Sequence, residues 1–312
     1  MNQTAQLPPI AIPQRRAKVR KPLTRDRVIS IALISPSIIA IAIFVYGFIG
    51  QTAYFSMVKW NDFKPDFTWV GFANYQRLFQ NERFQIDLKN TLVFTVVFIA
   101  ACLFIGLLLA SLLDQHIRGE AFFRNIFMFP LAISFIVTGV TWRWLLTPTS
   151  GVNLLFDATG LDFLKSGWFT DPKIGILAVV IAAVWQMSGY VMAMYLAGLR
   201  GIPEELREAA RVDGATEWQV FRRVALPLLQ PITLTAVIIL GHISLKIFDL
   251  TKAMTGSGPG FSSDVPALFM YETTFFGSHF SEGASIAIVL LLMVSGLIIP
   301  YLIYNFRNEV QQ

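Results

Sequence analysis

The chain has 312 residues, of which 54% are hydrophobic and only 14% are charged, and its formal net charge is +5. Its mean hydropathy of +0.57 excludes an ordinary soluble domain and indicates a protein that resides in the lipid bilayer.

Six stretches without Asp, Glu, Lys or Arg reach the roughly 18 residues that a helix needs to cross the hydrocarbon layer. Their residues do not alternate between polar and apolar, as the strands of a membrane barrel would. The sequence therefore predicts an all-α membrane protein with six transmembrane helices. The predicted spans are 28–58, 90–113, 125–142, 174–199, 224–245 and 283–306.

Positive charge is unevenly divided between the two sets of connecting segments. If both termini are cytoplasmic, the inner segments hold fifteen Lys and Arg and the outer segments hold eight. Positive side chains are retained on the cytoplasmic side, so we expect both termini to lie there. Residues 1–27 then form a basic cytoplasmic tail, residues 28–306 the transmembrane domain, and residues 307–312 a cytoplasmic C-terminus.

Sequence signatures of catalysis and metal binding are missing. The chain has no G-x-x-x-x-G-K-[ST] nucleotide loop, no H-E-x-x-H and no G-x-S-x-G. Its single cysteine, Cys102, lies in the second span, and its three histidines sit in different segments. The glycine-rich stretch at 256–260 is interpreted as a loop, since it lacks a phosphate-binding lysine. We expect a non-catalytic chain that itself binds no cofactor, metal or nucleic acid.

Residues 203–227, between the fourth and fifth spans, are unusually rich in charge. Pro203 suits the first position of a helix, and Glu204 and Glu205 follow where negative charge favours the positive end of the helix dipole. Gly214 is expected to end this helix, because glycine adopts the left-handed conformation at little cost. A first helix is therefore predicted up to Gly214.

A second helix is predicted directly after this turn. Thr216 and Gln219 have the form of a capping box, and Pro227 is expected to end or kink the helix. The first helix presents a small apolar stripe with charged flanks, which suits docking into a groove of a partner. The alternative is an amphipathic helix that rests on the inner leaflet. The stripe consists of Leu206, Ala209 and Ala210.

Ionisable side chains inside predicted spans are costly and therefore indicate possible function. His242, Lys246 and Asp249 form such a group, and Lys246 and Asp249 are expected to pair on one helical face. The pair is either structural or a coupling-ion site, and the second alternative predicts an ion-coupled transporter. Arg143, in the sequence "TWRW", is interpreted as an interfacial residue.

The sequence "EAARVDGATEWQVFRRVALPLLQP", residues 208–231, resembles the E-A-A-x(3)-G-x(9)-I-x-L-P signature of permease subunits of bacterial ABC importers. Val224 stands where the signature has isoleucine. The stretches "WVGFANYQRLF" at 69–79 and "FDLTKAMTGSGP" at 248–259 are similar to the carbohydrate-uptake branch, the relatives of maltose and glycerol-phosphate permeases. The C-terminal sequence resembles the first permease of a heterodimer.

This resemblance implies a fold like that of type I ABC importers, located in the bacterial inner membrane. The helix-turn-helix would be the coupling segment that docks on a cytoplasmic ATPase. Two ATPase subunits would use ATP and Mg, a homologous second permease would complete the pathway, and an extracytoplasmic binding protein would deliver a carbohydrate. The residues matched to the ATPase contact are Glu208, Ala209, Ala210, Asp213 and Gly214, with an ion pair implied for Glu208.

Three polar residues in the later spans are expected along the solute pathway. Gln186 and Tyr190 lie at i and i+4 on the fourth span and therefore share a face. The resemblance implies solute contact for Tyr190 and Ser244, whereas Ile247 replaces a second polar residue of the maltose-type relatives. The alternative role for all three is to join helices. A membrane anchor or scaffold that moves no solute is the remaining interpretation of the whole chain.

Overall fold

The computed structural model describes residues 25–115 and 117–309, in two units that are divided between Gly50 and Gln51. The predicted tail, residues 1–27, lies outside the described residues except for its last three, which begin a helix. Nearly all of the described chain is helical, and its β structure is one isolated bridge between Val58 and Trp69. The α-helices are α1 (Arg25–Ile41), α2 (Phe48–Phe55), α3 (Ala73–Gln80), α4 (Glu82–Leu113), α5 (Glu120–Met128), α6 (Phe135–Leu145), α7 (Val152–Thr159), α8 (Gly175–Arg200), α9 (Glu204–Val212), α10 (Glu217–Val220), α11 (Leu226–Leu228), α12 (Gln230–Leu245), α13 (Asp249–Met254), α14 (Pro266–Tyr271) and α15 (Phe280–Glu309).

The six predicted spans correspond to four long helices and two bent pairs. Four helices in the described chain are long and apolar enough to cross a membrane on their own. The all-α architecture is confirmed, and the number of membrane crossings is six when each bent pair is counted as one span. The long helices comprise Ile29–Phe55, Glu82–Leu113, Gly175–Arg200 and Phe280–Ile303, and the bent pairs are Glu120–Ala132 with Phe135–Leu145 and Glu217–Leu228 with Gln230–Leu245.

The prediction of one continuous third helix over 125–142 is wrong. The two parts of this span diverge by 101° at a short break. Pro130 lies in a 3-10 turn at the break, where it cannot donate a backbone hydrogen bond to a continuing helix. Ser134 then caps the next helix, because its side chain accepts a hydrogen bond from the Val137 amide at 3.3 Å.

Helix α8, the fourth span, is the centre of the second unit. In the most apolar 18-residue segment of this helix, 72% of the residues are buried, against 22% in the corresponding segment of α4 and 11% in that of α15. Small residues permit close packing around it. A side chain on Gly189 would overlap the backbone carbonyl of Phe127, at the bend of the third span, and one on Gly106 would overlap Val191.

The second unit has two ends with different structures. We call one the coupling end, where the C-terminal ends of α4 and α8 meet the hairpin of α9 and α10. We call the other the loop end, where the N-terminal end of α4 meets residues 56–80 and 246–280. The Ser281 amide, in the first turn of α15, donates to the Trp60 carbonyl, and the Trp60 amide donates to Ser281 Oγ, both at 2.8 Å. These bonds join residues 56–80 to the start of α15.

Candidate coupling surface and solute pathway

The helix-turn-helix predicted between the fourth and fifth spans is present, and its turn has the expected geometry. Helix α9 begins after Pro203 and ends before Gly214, whose φ of +86° is left-handed. The Ala215 amide donates to the Ala210 carbonyl at 3.0 Å, and the Gly214 amide donates to Arg211, also at 3.0 Å. This pair of bonds is the Schellman motif, which satisfies carbonyls that the helix end leaves open.

The second helix of the hairpin begins with the predicted capping box. The Thr216 amide donates to Gln219 Oε1 at 2.8 Å, and the Gln219 amide donates to Thr216 Oγ1 at 3.4 Å. The helix changes to a π-helical turn at Phe221–Ala225 and then bends by 60° before α12. Pro227 lies just before this bend, as expected of a residue that kinks a helix.

Helix α9 is fixed to the transmembrane helices by Arg207, a residue that sequence analysis did not identify. Its Nη1 donates to Asp114 Oδ2 at 2.9 Å, beyond the end of α4, and its Nη2 donates to the Leu199 carbonyl at 2.7 Å, near the end of α8. The Arg207 and Asp114 side chains are mostly buried. Only the tertiary structure places them together, because 93 residues separate them.

A surface ion-pair network joins the two helices of the hairpin. Arg211 lies 2.8 Å from Glu204 on its own helix and 2.8 Å from Glu217 on the next. These hydrogen bonds raise the pKa of Arg211, and the guanidinium lowers the pKa of the Glu217 carboxyl. All three groups are exposed, so solvent screens the network and it mainly fixes the angle of the hairpin.

The residues matched to the ATPase contact lie on the free surface of this hairpin. Glu208, Ala209, Asp213 and Gly214 are exposed, and Ala210 is half-buried. Within the described chain Glu208 and Asp213 form no salt bridge, in contrast to the neighbouring Arg207 and Arg211. Val212 is 87% exposed and Trp218 is 66% exposed, so charged and apolar groups are presented together. We call this set of residues the coupling surface.

A cavity of about 680 Å³ lies between the hairpin and the C-terminal half of α4. Its walls are largely apolar, and its polar rim includes the ion-paired Arg207 and Arg211. The hairpin therefore touches the transmembrane helices at a few fixed points and leaves space between them.

The predicted pathway residues have different environments. Gln186 is buried, and its Nε2 donates to the Ile133 carbonyl at 2.6 Å, at the break in the third span. Its Oε1 has no hydrogen-bond partner in the described chain. Tyr190, one turn further along α8, is half-buried against the core. Gln186 thus stabilises the bent span, and its side-chain oxygen remains available to accept a hydrogen bond.

Ser244 joins two transmembrane helices. It is completely buried, accepts a hydrogen bond from Thr95 on α4 at 2.9 Å, and donates to the Gly241 carbonyl at 2.8 Å. This environment favours the role of joining helices for Ser244, because both functions of its hydroxyl are satisfied within the chain.

The expected ion pair on the fifth span is not formed, and this prediction is wrong. Helix α12 ends at Leu245, Lys246 leaves helical geometry, and Asp249 begins the separate helix α13. Lys246 and Asp249 are exposed and share no salt bridge in the part of the chain that the structure describes. The spacing argument fails because it requires one continuous helix. The three residues therefore do not share one helix, since His242 lies on α12, Lys246 directly after its end, and Asp249 on α13.

A second group of charged residues, also missed from the sequence, lies at the loop end. Arg83 and Asp87 lie on the first turns of α4, Asp264 follows the glycine-rich loop, and Glu272 begins a π-helical turn. The stretch 256–260 is a loop, as predicted, and Gly256, Gly258 and Gly260 all have positive φ. The only sequence signal for this group was the i, i+4 spacing of Arg83 and Asp87.

The family of this chain follows from comparison with known proteins. The family model described as "Binding-protein-dependent transport system inner membrane component" matches residues 102–311. The chain belongs to this family. It is thus a multi-pass membrane protein and the permease component of an ABC importer, as the resemblance implied.

Individual relatives agree with this assignment. A probable ABC transporter permease of Pyrococcus horikoshii is 44% identical over 280 residues, which are 89% of this chain and 96% of the relative. A xylose/arabinose import permease of Haloferax volcanii is 34% identical over 94% of this chain and 92% of its own length. A crystal structure of a bacterial ABC transporter involved in import of the acidic polysaccharide alginate matches with a TM-score of 0.74 and 26% identity. That match covers 88% of this chain and 95% of the solved chain.

Proposed function

We propose that this chain forms half of the translocation pathway of an ATP-driven importer for a carbohydrate or carbohydrate derivative. The observation that carries the proposal is the coupling surface, where Glu208 is exposed and unpaired within the described chain while Arg207 fixes the same helix to α4 and α8. A helix that is rigidly attached on one side and open on the other suits the transmission of force from a docked partner.

The proposed partners are two cytoplasmic ATPase subunits, which would bind ATP and Mg. This chain would be non-catalytic, consistent with its lack of a nucleotide-binding loop. Approach of the two ATPases would draw the coupling surfaces together, and the Arg207–Asp114 contact would pass that displacement to α4. A homologous second permease would supply the other half of the pathway, in a lipid membrane with both termini cytoplasmic.

The proposed solute is a carbohydrate delivered by an extracytoplasmic binding protein. The functions of several relatives support this class, since one is a xylose/arabinose import permease and another is a trehalose/maltose permease. A related importer has been solved with an alginate-bound periplasmic protein. Within this chain, Tyr190 offers a ring and a hydroxyl, and Gln186 keeps a free acceptor, which are the groups that bind sugars.

Substitution of Glu208 tests the coupling role. In the assembled importer, Glu208→Lys is expected to reduce co-purification of the ATPase and ATP-dependent uptake in proteoliposomes at least tenfold. The loss of one charge-assisted contact, about 1.4 kcal/mol or more, produces that factor. Membrane insertion should be unchanged, because the side chain lies outside the spans.

Glu205→Lys is the matched control, because Glu205 is an exposed glutamate of the same helix. It is expected to leave co-purification and uptake close to those of the unmodified importer. Equal loss in both variants would indicate a general charge effect, and normal behaviour of Glu208→Lys would refute the assignment. Uptake by the purified single chain under a sodium or proton gradient would instead establish the ion-coupled alternative.

A further inference from the structure

The loop end contains an ionic cluster organised by Arg83. Its Nε lies 2.6 Å from Asp264 Oδ2, and its Nη2 lies 2.6 Å from Glu272 Oε2. The guanidinium also lies over the rings of Phe261 and Phe269, with its carbon 4.8 Å and 4.5 Å from their centroids. One arginine at the start of α4 therefore holds the segment between the fifth and sixth spans at several points, from residue 261 to residue 272.

Asp87, one turn after Arg83, has an unusual environment. Both Asp87 and Asp264 are completely buried. Neither Asp87 oxygen has a hydrogen-bond donor within the described residues. Arg83, one turn before Asp87, bonds to the Asp264 carboxylate, and Asn90, one turn after it, bonds to the Asp264 carbonyl, so Asp87 lies on the face of α4 that packs against Asp264. Two ionised carboxylates can only accept hydrogen bonds, and their repulsion in a buried site is severe. Such a pair is stable when one member carries a proton and donates it to the other.

The charge balance of the cluster supports the same conclusion. Three carboxyl groups, on Asp87, Asp264 and Glu272, face two cations, Arg83 and Lys252, the latter 3.7 Å from Glu272. One proton makes the cluster neutral. Burial raises the pKa of Asp264, although the adjacent Arg83 acts in the opposite direction.

The cations of the neighbouring elements are engaged elsewhere or exposed: Arg77 on α3 donates to Asn74, and Lys246, after the end of α12, is exposed. Residues 175–185 of α8, which approach this segment where Gly175 meets Ser262, contain no ionisable side chain. On α15, Glu282 is paired with His279 at 3.3 Å. Lys89, the next charged residue on α4, is exposed. Asn90 donates to the carbonyls of Phe261 and Asp264 at 2.8 and 3.0 Å, so it fixes the backbone and leaves the charge unchanged.

We propose that Asp87 and Asp264 share one proton and that this protonated pair, with Arg83, positions residues 256–276 on α4 during transport. The transport part rests on the proposed function. Helix α4 has 32 residues and, at about 1.5 Å per residue, reaches roughly 48 Å. It is followed at the coupling end by Asp114, the partner of Arg207, and begins at the loop end with Arg83 and Asp87. One continuous helix thus connects the coupling surface with the segment that faces the delivered solute.

The shared proton predicts how stability depends on pH. In the unfolded chain both aspartates ionise in their ordinary range, whereas the folded pair keeps one proton to higher pH. The folded state therefore binds more protons, and stability falls as pH rises above the ordinary aspartate range. A substitution that lets the pair form without a bound proton should remove this contribution to the dependence of stability on pH.

The test compares melting temperatures of the purified, assembled importer in detergent from about pH 6 to about pH 9. The melting temperature of the unmodified complex is expected to fall towards alkaline pH. Asp87→Asn is expected to flatten that fall, because the asparagine amide can donate a hydrogen bond to Asp264 without taking up a proton from solution. Asp87→Ser, a smaller neutral donor, serves if the asparagine variant does not assemble. Glu82→Gln, at an exposed acid of the same helix, should keep the unmodified slope.

The expected outcome is a clear difference in slope between the Asp87 variants and Glu82→Gln. Parallel slopes for all three would overturn the shared proton. Uptake over the same pH range supplies the functional readout, with a smaller alkaline loss in Asp87→Asn than in the unmodified importer. The melting experiment requires no solute, so its failure can be distinguished from failure of the carbohydrate assignment.

Discussion

At the scale of single residues, Gly214 sets the geometry of the coupling surface. Its left-handed φ lets the chain reverse between α9 and α10, and the space around its Cα is open. A side chain would therefore meet no steric obstacle from neighbouring residues. The requirement for glycine is purely conformational, because β-branched residues are disfavoured at positive φ.

Gly214→Val is expected to distort the turn at a cost of about 1–2 kcal/mol and to lower both ATPase co-purification and uptake. Gly214→Asn is the matched control, since asparagine tolerates the left-handed region, and it should retain most of the activity. Both are measured in the assembled importer. Full activity of the valine variant would mean that the turn is free to change conformation.

At the scale of helices, the attachment of α9 depends on one mostly buried ion pair with an additional backbone contact. Arg207 donates to the Asp114 carboxylate and to the Leu199 carbonyl, and the carbonyl also accepts from the Ile202 amide at 3.3 Å. Loss of the arginine leaves a carboxylate and a carbonyl without this partner in a poorly solvated site, which is more costly than loss of a surface pair.

Arg207→Met is expected to destabilise the purified chain by about 1–3 kcal/mol in thermal or denaturant unfolding. Asp114→Asn added to it should recover part of the loss, because no unpaired carboxylate remains. Arg211→Met, which removes only exposed ion pairs, should have little effect. Simple additivity of the Arg207 and Asp114 substitutions would show that the two side chains do not interact.

At the scale of the whole molecule, α4 and the central helix α8 connect two chemically distinct ends. The coupling end holds the exposed coupling surface, and the loop end holds the Arg83 cluster. If both termini are cytoplasmic, the coupling end faces the cytoplasm and the loop end faces outward, as the distribution of Lys and Arg predicts.

Labelling with a membrane-impermeant maleimide tests this orientation. The single native cysteine is buried, so a Cys102→Ser background is suitable. Lys64→Cys, exposed at the loop end, is expected to react in intact cells. In cells that produce the chain without the ATPase subunits, Val212→Cys, at a position 87% exposed at the coupling end, should react only after the membrane is permeabilised. The reverse pattern would invert the proposed topology.

The sequence by itself determined the features that depend on local composition and spacing. Uncharged length predicted the six membrane crossings, and Gly214 with the Thr216 capping box predicted the hairpin, because helix ends and turns are governed by neighbouring residues. The E-A-A signature placed the coupling residues in this hairpin. The structure presents most of these residues to solvent, and their contact with an ATPase stays a prediction.

Only the tertiary structure decided which distant residues meet. The Lys246–Asp249 pair was wrong because the helix ends between them, and the third span is bent where the sequence predicted a straight helix. The Arg207–Asp114 contact joins residues 93 positions apart and the Arg83–Asp264 contact joins residues 181 positions apart, so no spacing rule could find them. Sequence periodicity shows which residues share one face of a helix. A buried charge, in contrast, is stabilised by partner groups on other helices, which periodicity does not identify.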